Sequence, residues 1–404
     1  MKGVNQAFFD FIDSNKDLSA EYLRLKNYGK YFGFDVNLAI DQIEARRKYA
    51  KKLPRNVANP YFLFPTLLSG EQATSEVIAD FHASLIENGV NSILDMTAGL
   101  GIDAVRLSSK CSDIIAIDID QVKTECLEHN KRILGIGNMT VICDDSLRFL
   151  QDTQRLFDYI FVDPARRSSS NSRTYAFKDC SPDIVTHHNL IRQKCRKLLI
   201  KASPMLDISE SIKELGGVSE LWVLSLKNEC KELFIKQDFD SDLSPDPCIN
   251  AINILNNGQI SNLKFRLSET KTIQSDYVDD QDIIRMKYLY EPNASLMKSL
   301  AWNVAGNRYT GLKKASLDTH VFLSDKLYHN FPGRIFHIEQ LLSSKETKKL
   351  KGTDCNIVAR NYICTASELR KRLKTKDGGD NFIYAMRLGN KNRPAMLMCT
   401  RISD

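Results

Sequence analysis

An acidic residue precedes two glycines in the run Asp95-Met96-Thr97-Ala98-Gly99-Leu100-Gly101. Gly99 and Gly101 let the backbone turn sharply and approach a ligand that any Cβ atom would obstruct. The carboxylate of Asp95 can hold an ammonium group at that turn, either directly or through water. Together with Thr97, these residues predict a small-molecule site for a ligand that carries a positive charge.

More carboxylates follow the next two apolar runs of the sequence. Asp118 can accept both hydroxyls of a ribose, and Asp144-Asp145 can accept the amino group of an adenine. These groups, with an ammonium for Asp95, are those of S-adenosylmethionine (SAM). Gly99-x-Gly101-x-x-Ala104 also matches the dinucleotide fingerprint, so a nucleotide-dependent oxidoreductase is an alternative. A carboxylate at the turn favours zwitterionic SAM, because it repels a pyrophosphate.

The motif Asp163-Pro164-Ala165-Arg166-Arg167 follows a fourth apolar run. Pro164 fixes the turn, so that the Asp163 carboxylate and the following carbonyls point into the expected cleft. They can accept the N–H groups of an exocyclic amine and hold its lone pair in line with a sulfonium methyl group. We therefore expect Asp163, Pro164 and Arg166 to be the catalytic residues of a methyltransferase.

Methylation of a pyrimidine carbon would instead need a cysteine nucleophile with a lowered pKa. Cys180, in Lys178-Asp179-Cys180, is the candidate for that role. The neighbouring Asp179 would raise the pKa of a thiol rather than lower it. Methylation of an amine is therefore the favoured reaction.

Short apolar runs alternate with helix-length amphipathic stretches from about residue 91 to residue 200. This alternation is typical of a doubly wound parallel sheet with helices on both faces, and ligands bind beyond the carboxyl ends of its strands. Helical spacing of apolar residues predicts a helical N-terminal region. Ser69-Gly70-Glu71-Gln72 is expected to begin a helix that runs to about Glu87. Strands are predicted at 382–388 and 395–401, after a helix at 366–374.

The composition bears on the partner, the state of the cysteines and the location of the protein. The chain has a net charge of +6, and residues 341–404 carry 14 basic and 6 acidic residues. This excess favours a polyanionic partner, although a solvated basic face is an alternative. The ten cysteines include no C-x-x-C pair, which favours free thiols over a disulfide framework or a metal site. The sequence contains neither a bilayer-length apolar run nor a signal-peptide pattern, so we expect no membrane partner and a cytoplasmic location.

Several stretches of the sequence match one known family. The most specific are residues 69–76, 95–103, 163–167, 200–208, 228–232, 290–294, 331–334 and 373–379. In them the chain resembles bacterial methyltransferases that carry a ferredoxin-like module and a C-terminal THUMP-like domain, and the resemblance extends from about Phe64 to the end.

The resemblance implies an α/β fold with a Rossmann-like, doubly wound, seven-stranded class I methyltransferase core that uses SAM. It implies a helical region over 1–88, the methyltransferase domain over 89–275, a ferredoxin-like module over 276–335 and a THUMP-like domain over 336–404. The cofactor-binding motif falls on Asp95, Gly99 and Gly101, the ribose-binding acid on Asp118 and the adenine-side acid on Asp145. Asp163 and Pro164 fall in the catalytic loop.

The resemblance also implies RNA as the substrate, because THUMP domains generally bind RNA. Arg166, Arg167 and Arg173 could form a basic rim for RNA phosphates, and Arg370-Lys371-Arg372 a second RNA-binding edge; solvated loop charges are the alternative. One departure weakens base-amine methylation: Ala165 and Arg166 replace the second proline and the aromatic residue of many amino-methyltransferases. A SAM-binding RNA-binding module without turnover and a methyltransferase with a non-RNA substrate are the alternative functions.

Overall fold

The computed structural model describes residues 3–30, 32–166, 176–241 and 244–403. The chain forms two compact units. The first unit contains Met1–Lys201, Ser209–Gly217 and Lys236–Leu243. The second unit contains Ala202–Ile208, Val218–Ile235 and Ser244–Asp404. Every residue of the predicted cofactor site and catalytic loop belongs to the first unit.

The first unit begins with short helices, as the apolar spacing predicts: α1 Gln6–Ser14, α2 Ala20–Lys26, α3 Val36–Tyr49, α4 Pro54–Ala58, α5 Leu67–Gln72 and α6 Glu76–Ser84. The single helix expected from Ser69 to about Glu87 was wrong. Thr66 caps α5 and Ser75 caps a separate helix α6. The break frees the Thr74 side chain for a bond to Asp103, and Glu76 accepts the N–H of Asn56 at 2.8 Å.

The first unit continues as alternating strands and helices: β1 Val90–Asp95, α7 Ile102–Leu107, β2 Cys111–Asp118, α8 Gln121–Ile133, β3 Met139–Cys143, α9 Ser146–Asp152, β4 Phe157–Val162, β5 Ala165–Arg166, β6 Cys180–Ser181, α10 His188–Lys194, β7 Cys195–Ala202 and α11 Ile208–Leu215. The long strands are parallel and lie in the order β7-β4-β1-β2-β3. The strand order therefore reverses at β1, where a doubly wound sheet binds its ligand. β5 and β6 pair separately as a short antiparallel ribbon.

Four further strands follow: β8 Glu220–Leu226, β9 Glu229–Asp238, β10 Cys248–Ile254 and β11 Ile260–Arg266. Their order is β11-β10-β8-β9, and residues 236–238 of β9 belong to the first unit. Within the described residues, the sheet to which these strands belong has nine strands. It contains the predicted seven-stranded core, β8-β9-β7-β4-β1-β2-β3, and the antiparallel hairpin of β10 and β11 extends it at one edge.

The rest of the second unit is α+β, as predicted: α12 Glu269–Thr272, β12 Tyr288–Pro292, α13 Ala294–Lys298, α14 Trp302–Asn307, β13 Lys313–Ser316, β14 Thr319–Ser324, β15 Gly333–Leu341, α15 Ser344–Lys349, β16 Asn356–Arg360, α16 Ala366–Leu373, β17 Asn381–Leu388 and β18 Arg393–Ser403. The strands from β12 onward form one sheet in the order β13-β14-β12-β15-β18-β17-β16. No helix within the described ranges has the length and apolarity that a membrane span requires.

A buried carboxylate joins four strands of this C-terminal sheet. Glu291 of β12 is only 6% exposed. Its Oε2 accepts hydrogen bonds from Arg334 Nε at 2.8 Å and from the Tyr384 hydroxyl at 2.9 Å. Its Oε1 accepts a bond from Arg360 Nε at 2.7 Å. A buried charge of this kind is tolerated because ionic and hydrogen-bonding partners surround it.

Replacing Glu291 by glutamine should lower the free energy of unfolding of the second unit by about 3 kcal/mol, because two arginines would lose their shared carboxylate. Glu229→Gln, which changes an exposed acid, should cost about 0.5 kcal/mol or less. Urea denaturation followed by tryptophan fluorescence measures both, since Trp222 and Trp302 both lie in the second unit. Equal urea midpoints for the two variants would contradict the structural role of Glu291.

Candidate functional site

Asp95 occupies the last position of β1, between β2 and β4. Its side chain is 1% exposed. Oδ1 accepts the backbone N–H of Thr97 at 3.0 Å, whereas Oδ2 has no hydrogen-bond partner within the described chain. Burial raises the pKa of the Asp95 carboxyl well above its usual range, and the charges of Asp103, Asp163 and Asp118 act in the same direction. A cationic group beside Asp95 would stabilise the ionised carboxylate and lower its pKa again.

The two glycines of the turn after β1 have different surroundings. Both are in the left-handed region, with φ of +56° at Gly99 and +84° at Gly101. A Cβ on Gly101 would lie 2.2 Å from Cδ1 of Leu127 in α8, so the turn packs directly on that helix. A Cβ on Gly99 would meet only the Thr97 carbonyl oxygen, at 3.9 Å. Gly99 is therefore the glycine that leaves open space at the turn.

Asp118 ends β2 and is tied to the same turn. Its Oδ2 accepts the Gly99 N–H at 2.9 Å, and its Oδ1 accepts the Asp120 N–H at 2.9 Å. Lys123 Nζ lies 3.8 Å from Oδ2. The structure thus brings together Asp95, Thr97, Gly99, Gly101 and Asp118, as the sequence predicts. Each bonded carboxylate oxygen still has lone-pair capacity for a ligand hydroxyl.

The acids after β3 have local partners. Asp145 caps α9, and its Oδ1 accepts the backbone N–H of Leu147 at 2.8 Å. Asp144 forms an ion pair with Arg148. The two acids thus have different bonding partners. Their part in adenine binding stays a prediction.

The catalytic loop begins with a doubly anchored aspartate. The backbone N–H of Asp163 donates to Oγ1 of Thr97 at 2.7 Å, which links the loop to the turn after β1. Lys201 Nζ of β7 donates to Asp163 Oδ2 at 2.6 Å and to Thr74 Oγ1 at 3.0 Å. The Lys201 side chain is only 13% exposed. These contacts fix both the backbone and the carboxylate of Asp163.

Behind Lys201 lies a buried cluster that sequence reasoning missed. His82 Nδ1 is 2.8 Å from Asp103 Oδ1, and the hydroxyl of Thr74 donates to Asp103 Oδ2. Burial acts to raise the pKa of Asp103, but His82, Lys201 and Thr74 lower it overall. Thr74, Asp103 and Lys201 all lie in the family-specific stretches, which was the signal available. His82, in α6, had no comparable signal.

Beyond Pro164 the loop forms a small ribbon. Ala165 pairs with Ser181 and Arg166 with Cys180, and both Ala165 and Arg166 are exposed. Cys180 is therefore close to the catalytic loop, and its Sγ lies 3.7 Å from the Ala176 carbonyl oxygen. The predicted RNA-binding residues Arg167 and Arg173 lie outside the described residues.

The other predicted RNA-binding residues lie on α16, in the second unit. Lys371 and Arg372 are exposed. Arg370 is half-buried and forms an ion pair with Asp377. Consecutive residues of a helix point in different directions, so the three side chains do not form one continuous edge. Their contact with RNA stays a prediction.

Gly101→Ala should lower the free energy of unfolding by about 2 kcal/mol, because its Cβ would overlap Leu127 and the residue would keep a positive φ. Gly135→Ala is a matched control, since Gly135 also has a positive φ (+68°) but no atom within 4 Å of its added Cβ. Gly135→Ala should lower the free energy of unfolding by about 1 kcal/mol, because only the positive φ, and no steric overlap, opposes the added Cβ. Thermal unfolding of both variants measures the difference; equal losses would show that the turn does not pack tightly on α8.

Comparisons with known proteins agree with the fold described above. Residues 288–332 match a family of ferredoxin-like domains, and residues 333–401 match the THUMP domain-like family. The crystal structure of a candidate methyltransferase from Porphyromonas gingivalis W83 matches with a TM-score of 0.86 and 27% identity over 98% of each chain. These matches confirm the α/β fold with C-terminal ferredoxin-like and THUMP-like domains.

A curated relative matches over a shorter stretch. An uncharacterized RNA methyltransferase of Mycoplasma mobile is 27% identical over 92 residues, which are 21% of this chain and 25% of the relative. The match thus spans about a quarter of that protein's length. The Porphyromonas gingivalis structure matches along the full length of this chain, and residues 288–401 match the ferredoxin-like and THUMP-like domain families.

Proposed function

We propose that this protein is a SAM-dependent methyltransferase that transfers a methyl group to a base of an RNA, with an exocyclic amine as the favoured acceptor. The observation that carries the proposal is the buried Asp95 carboxylate, whose Oδ2 lacks a partner in the described chain. Leaving a buried carboxylate oxygen unpaired is costly, so a cationic ligand group is the expected partner. Asp95 also ends the strand at which the sheet order reverses, where such folds bind ligands.

The residues around Asp95 fit the parts of SAM. Asp95 would hold the methionine ammonium, Asp118 the ribose hydroxyls and Asp145 or Asp144 the adenine amino group. The open space beside Gly99 allows close approach of a ligand to the backbone. The carboxylates of Asp95, Asp118 and Asp163 would repel a pyrophosphate, which argues against a dinucleotide.

When bound, SAM supplies a methyl group that is activated by a sulfonium sulfur. The chain's contribution is to hold the acceptor, as the anchoring of Asp163 suggests. Its carboxylate would accept an N–H of the amine and orient the nitrogen lone pair, and it would take up the proton that the amine loses. Lys201 and the Thr97 hydroxyl would keep Asp163 in place throughout. Pro164 would fix the direction in which the loop leaves β4.

Three observations support RNA as the substrate class. The chain carries a THUMP-like domain, its residues 341–404 are strongly basic, and the Mycoplasma mobile relative is named an RNA methyltransferase. The exposed Arg166, two residues after Pro164, would stack on a base or bind a phosphate, and Arg167 and Arg173, which follow it in the sequence, would be further phosphate contacts. Lys371 and Arg372 of the second unit would contact phosphates elsewhere on the RNA.

The pairing of Cys180 with Arg166 supports a second candidate reaction, carbon methylation of a pyrimidine through a cysteine nucleophile. Cys180→Ser separates the two reactions. If the reaction is amine methylation, Cys180→Ser should retain nearly the wild-type rate. If Cys180 is the nucleophile, Cys180→Ser should lose turnover while its SAM binding is unchanged. The test reaction uses SAM labelled in its methyl group and total RNA from cells that lack the gene. Binding of SAM without transfer to that RNA would instead favour a binding module or a non-RNA substrate.

Asp95→Asn should weaken SAM binding at least about tenfold, because a charge-assisted hydrogen bond would become a neutral one. Isothermal titration calorimetry measures this loss, and Asp152→Asn, at the exposed end of α9, is the control. Undiminished SAM affinity in Asp95→Asn would argue strongly against the proposal. NAD binding that improves in the same variant would favour the oxidoreductase.

The same carboxylate predicts a pH dependence. Because the pKa of Asp95 is raised, the group is partly protonated well above the usual aspartate range, and an ammonium binds only its ionised form. SAM affinity should therefore fall as the pH drops through the raised pKa, with protons released on binding in that range. Titrations in buffers of different ionisation enthalpy detect the released protons. Asp95→Asn should abolish the release.

Lys201→Met should lower kcat/KM about a hundredfold while SAM affinity changes less than about threefold, because Lys201 contacts Asp163 and not the groups proposed to hold SAM. Lys201→Arg keeps the charge and should restore part of the activity. Single-turnover methyl transfer at saturating SAM measures the chemical step. A parallel loss of SAM binding in Lys201→Met would show that Lys201 supports the whole site rather than the acceptor loop.

A further inference from the structure

A cavity of about 670 Å³ opens in the second unit between the end of β16 and the start of α16. Residues 357–366 form most of its wall, together with Arg334 and Glu368. Its size falls in the range of small-ligand and nucleotide pockets. The cavity lies apart in sequence from every residue assigned above to SAM or to the acceptor, but its wall includes the first turn of α16, the helix that carries Arg370, Lys371 and Arg372.

Two guanidinium groups line this cavity and are held by one buried acid. Arg334 and Arg360 both pair with Glu291, which is not among the lining residues. Arg360 is the more accessible, with a side chain 51% exposed against 25% for Arg334. A guanidinium carries five N–H donors, and a carboxylate engages only one edge of it. Glu291 thus fixes two cations at the cavity and neutralises one of their two charges.

The one acid on the wall is already bound in a helix cap. Glu368 accepts both the backbone N–H and the hydroxyl of Thr365 at 2.8 Å, which forms the capping box of α16. Glu368 keeps its negative charge and caps the N-terminus of α16, so this helix end is already occupied by an acid. The two guanidinium groups are therefore the part of the wall that suits a phosphate group.

The same segment of the wall also carries aromatic and apolar side chains. Tyr362 is half-buried and Ile363 is 57% exposed. Burial raises the pKa of the Tyr362 phenol. Tyr362 follows Arg360 by two residues, so the cavity wall contains a guanidinium and an aromatic ring from neighbouring positions of the chain.

We propose that this cavity binds one nucleotide of single-stranded RNA, with its phosphate on Arg360 and Arg334 and its base against Tyr362 and Ile363. Phosphate suits the fixed, planar guanidinium groups, and an aromatic ring stacks on any base without regard to sequence. The inference rests on RNA as the substrate class of the proposed function. It assigns that RNA a subsite distinct from Lys371 and the catalytic loop.

The test measures the anisotropy of a fluorescein-labelled, mixed-sequence single-stranded 12-nucleotide RNA titrated with full-length protein. Arg360→Gln should weaken binding about tenfold and reduce the slope of log K against log salt by about 0.7, the loss of one phosphate contact. Lys349→Gln removes a positive charge elsewhere in the same domain, on α15, and should change affinity less than about twofold. Thermal unfolding and SAM titration of each variant check that the fold and the cofactor site are unchanged.

Because Arg360 also pairs with Glu291, a second variant avoids that ion pair. Tyr362→Ala should weaken RNA binding about tenfold, whereas Tyr362→Phe, which keeps the ring, should stay within about twofold of the wild type. Unchanged RNA affinity in both Arg360→Gln and Tyr362→Ala would overturn the subsite. It would leave the proposed methyltransferase intact, because SAM binding and methyl transfer are measured separately.

An acidic peptide is the competing kind of ligand. Poly-glutamate is added to the wild-type complex at the same concentration of charges as the RNA. The assignment to a nucleotide would be overturned if poly-glutamate displaced the RNA and if Tyr362→Ala weakened the binding of both polymers equally. Failure of poly-glutamate to compete would support it. Absence of SAM binding to the wild-type protein, with RNA binding still sensitive to Arg360, would instead refute the methyltransferase and retain the subsite.

Discussion

The first unit depends on how several carboxylates are accommodated at one edge of a parallel sheet. Asp95 and Asp118 end neighbouring strands, and Asp163 follows a third, so their negative charges are close together. Asp118 is bonded by backbone N–H groups and Asp163 by Lys201. Asp95 receives only the Thr97 N–H and keeps a buried oxygen without a partner in the described chain. A cationic group beside Asp95 would stabilise this arrangement, because it would offset the neighbouring negative charges.

In the second unit the balance of charge around the buried acid Glu291 is reversed. Here one buried acid is surrounded by two arginines and a tyrosine, so the acid is satisfied while the cations exceed it in charge. The excess positive charge lies at a cavity, because Arg334 and Arg360 both line it. The same rule, that buried charge needs partners, therefore governs Asp95 in one unit and Glu291 in the other.

Several polar side chains have buried partners that the sequence does not reveal. Arg46 stands in a run of basic residues, yet its guanidinium is held inside the structure, where it donates to the carbonyl oxygens of Val57, Asn59, Pro60 and Phe62. Burial lowers the pKa of Arg46 to about 10. Thr74 and His82 belong to a segment predicted as one continuous helix, but Ser75 begins a new helix and Thr74 turns inward to Asp103. Charge and helical spacing in a sequence do not reveal which polar groups will find buried partners.

The sequence alone determined the parallel α/β core, the glycine turn after Asp95 and the position of Asp163-Pro164. These follow from local patterns: apolar periodicity, glycine and proline chemistry, and motifs of a few adjacent residues. The ferredoxin-like and THUMP-like modules followed instead from the resemblance to a known family. Only the tertiary structure decided that Lys201 holds Asp163, that Asp103 is bound by His82 and Thr74, and that Glu291 organises two arginines beside a cavity. Those contacts join residues 21 to 69 positions apart, and such pairings depend on strand order and burial, which local sequence does not encode.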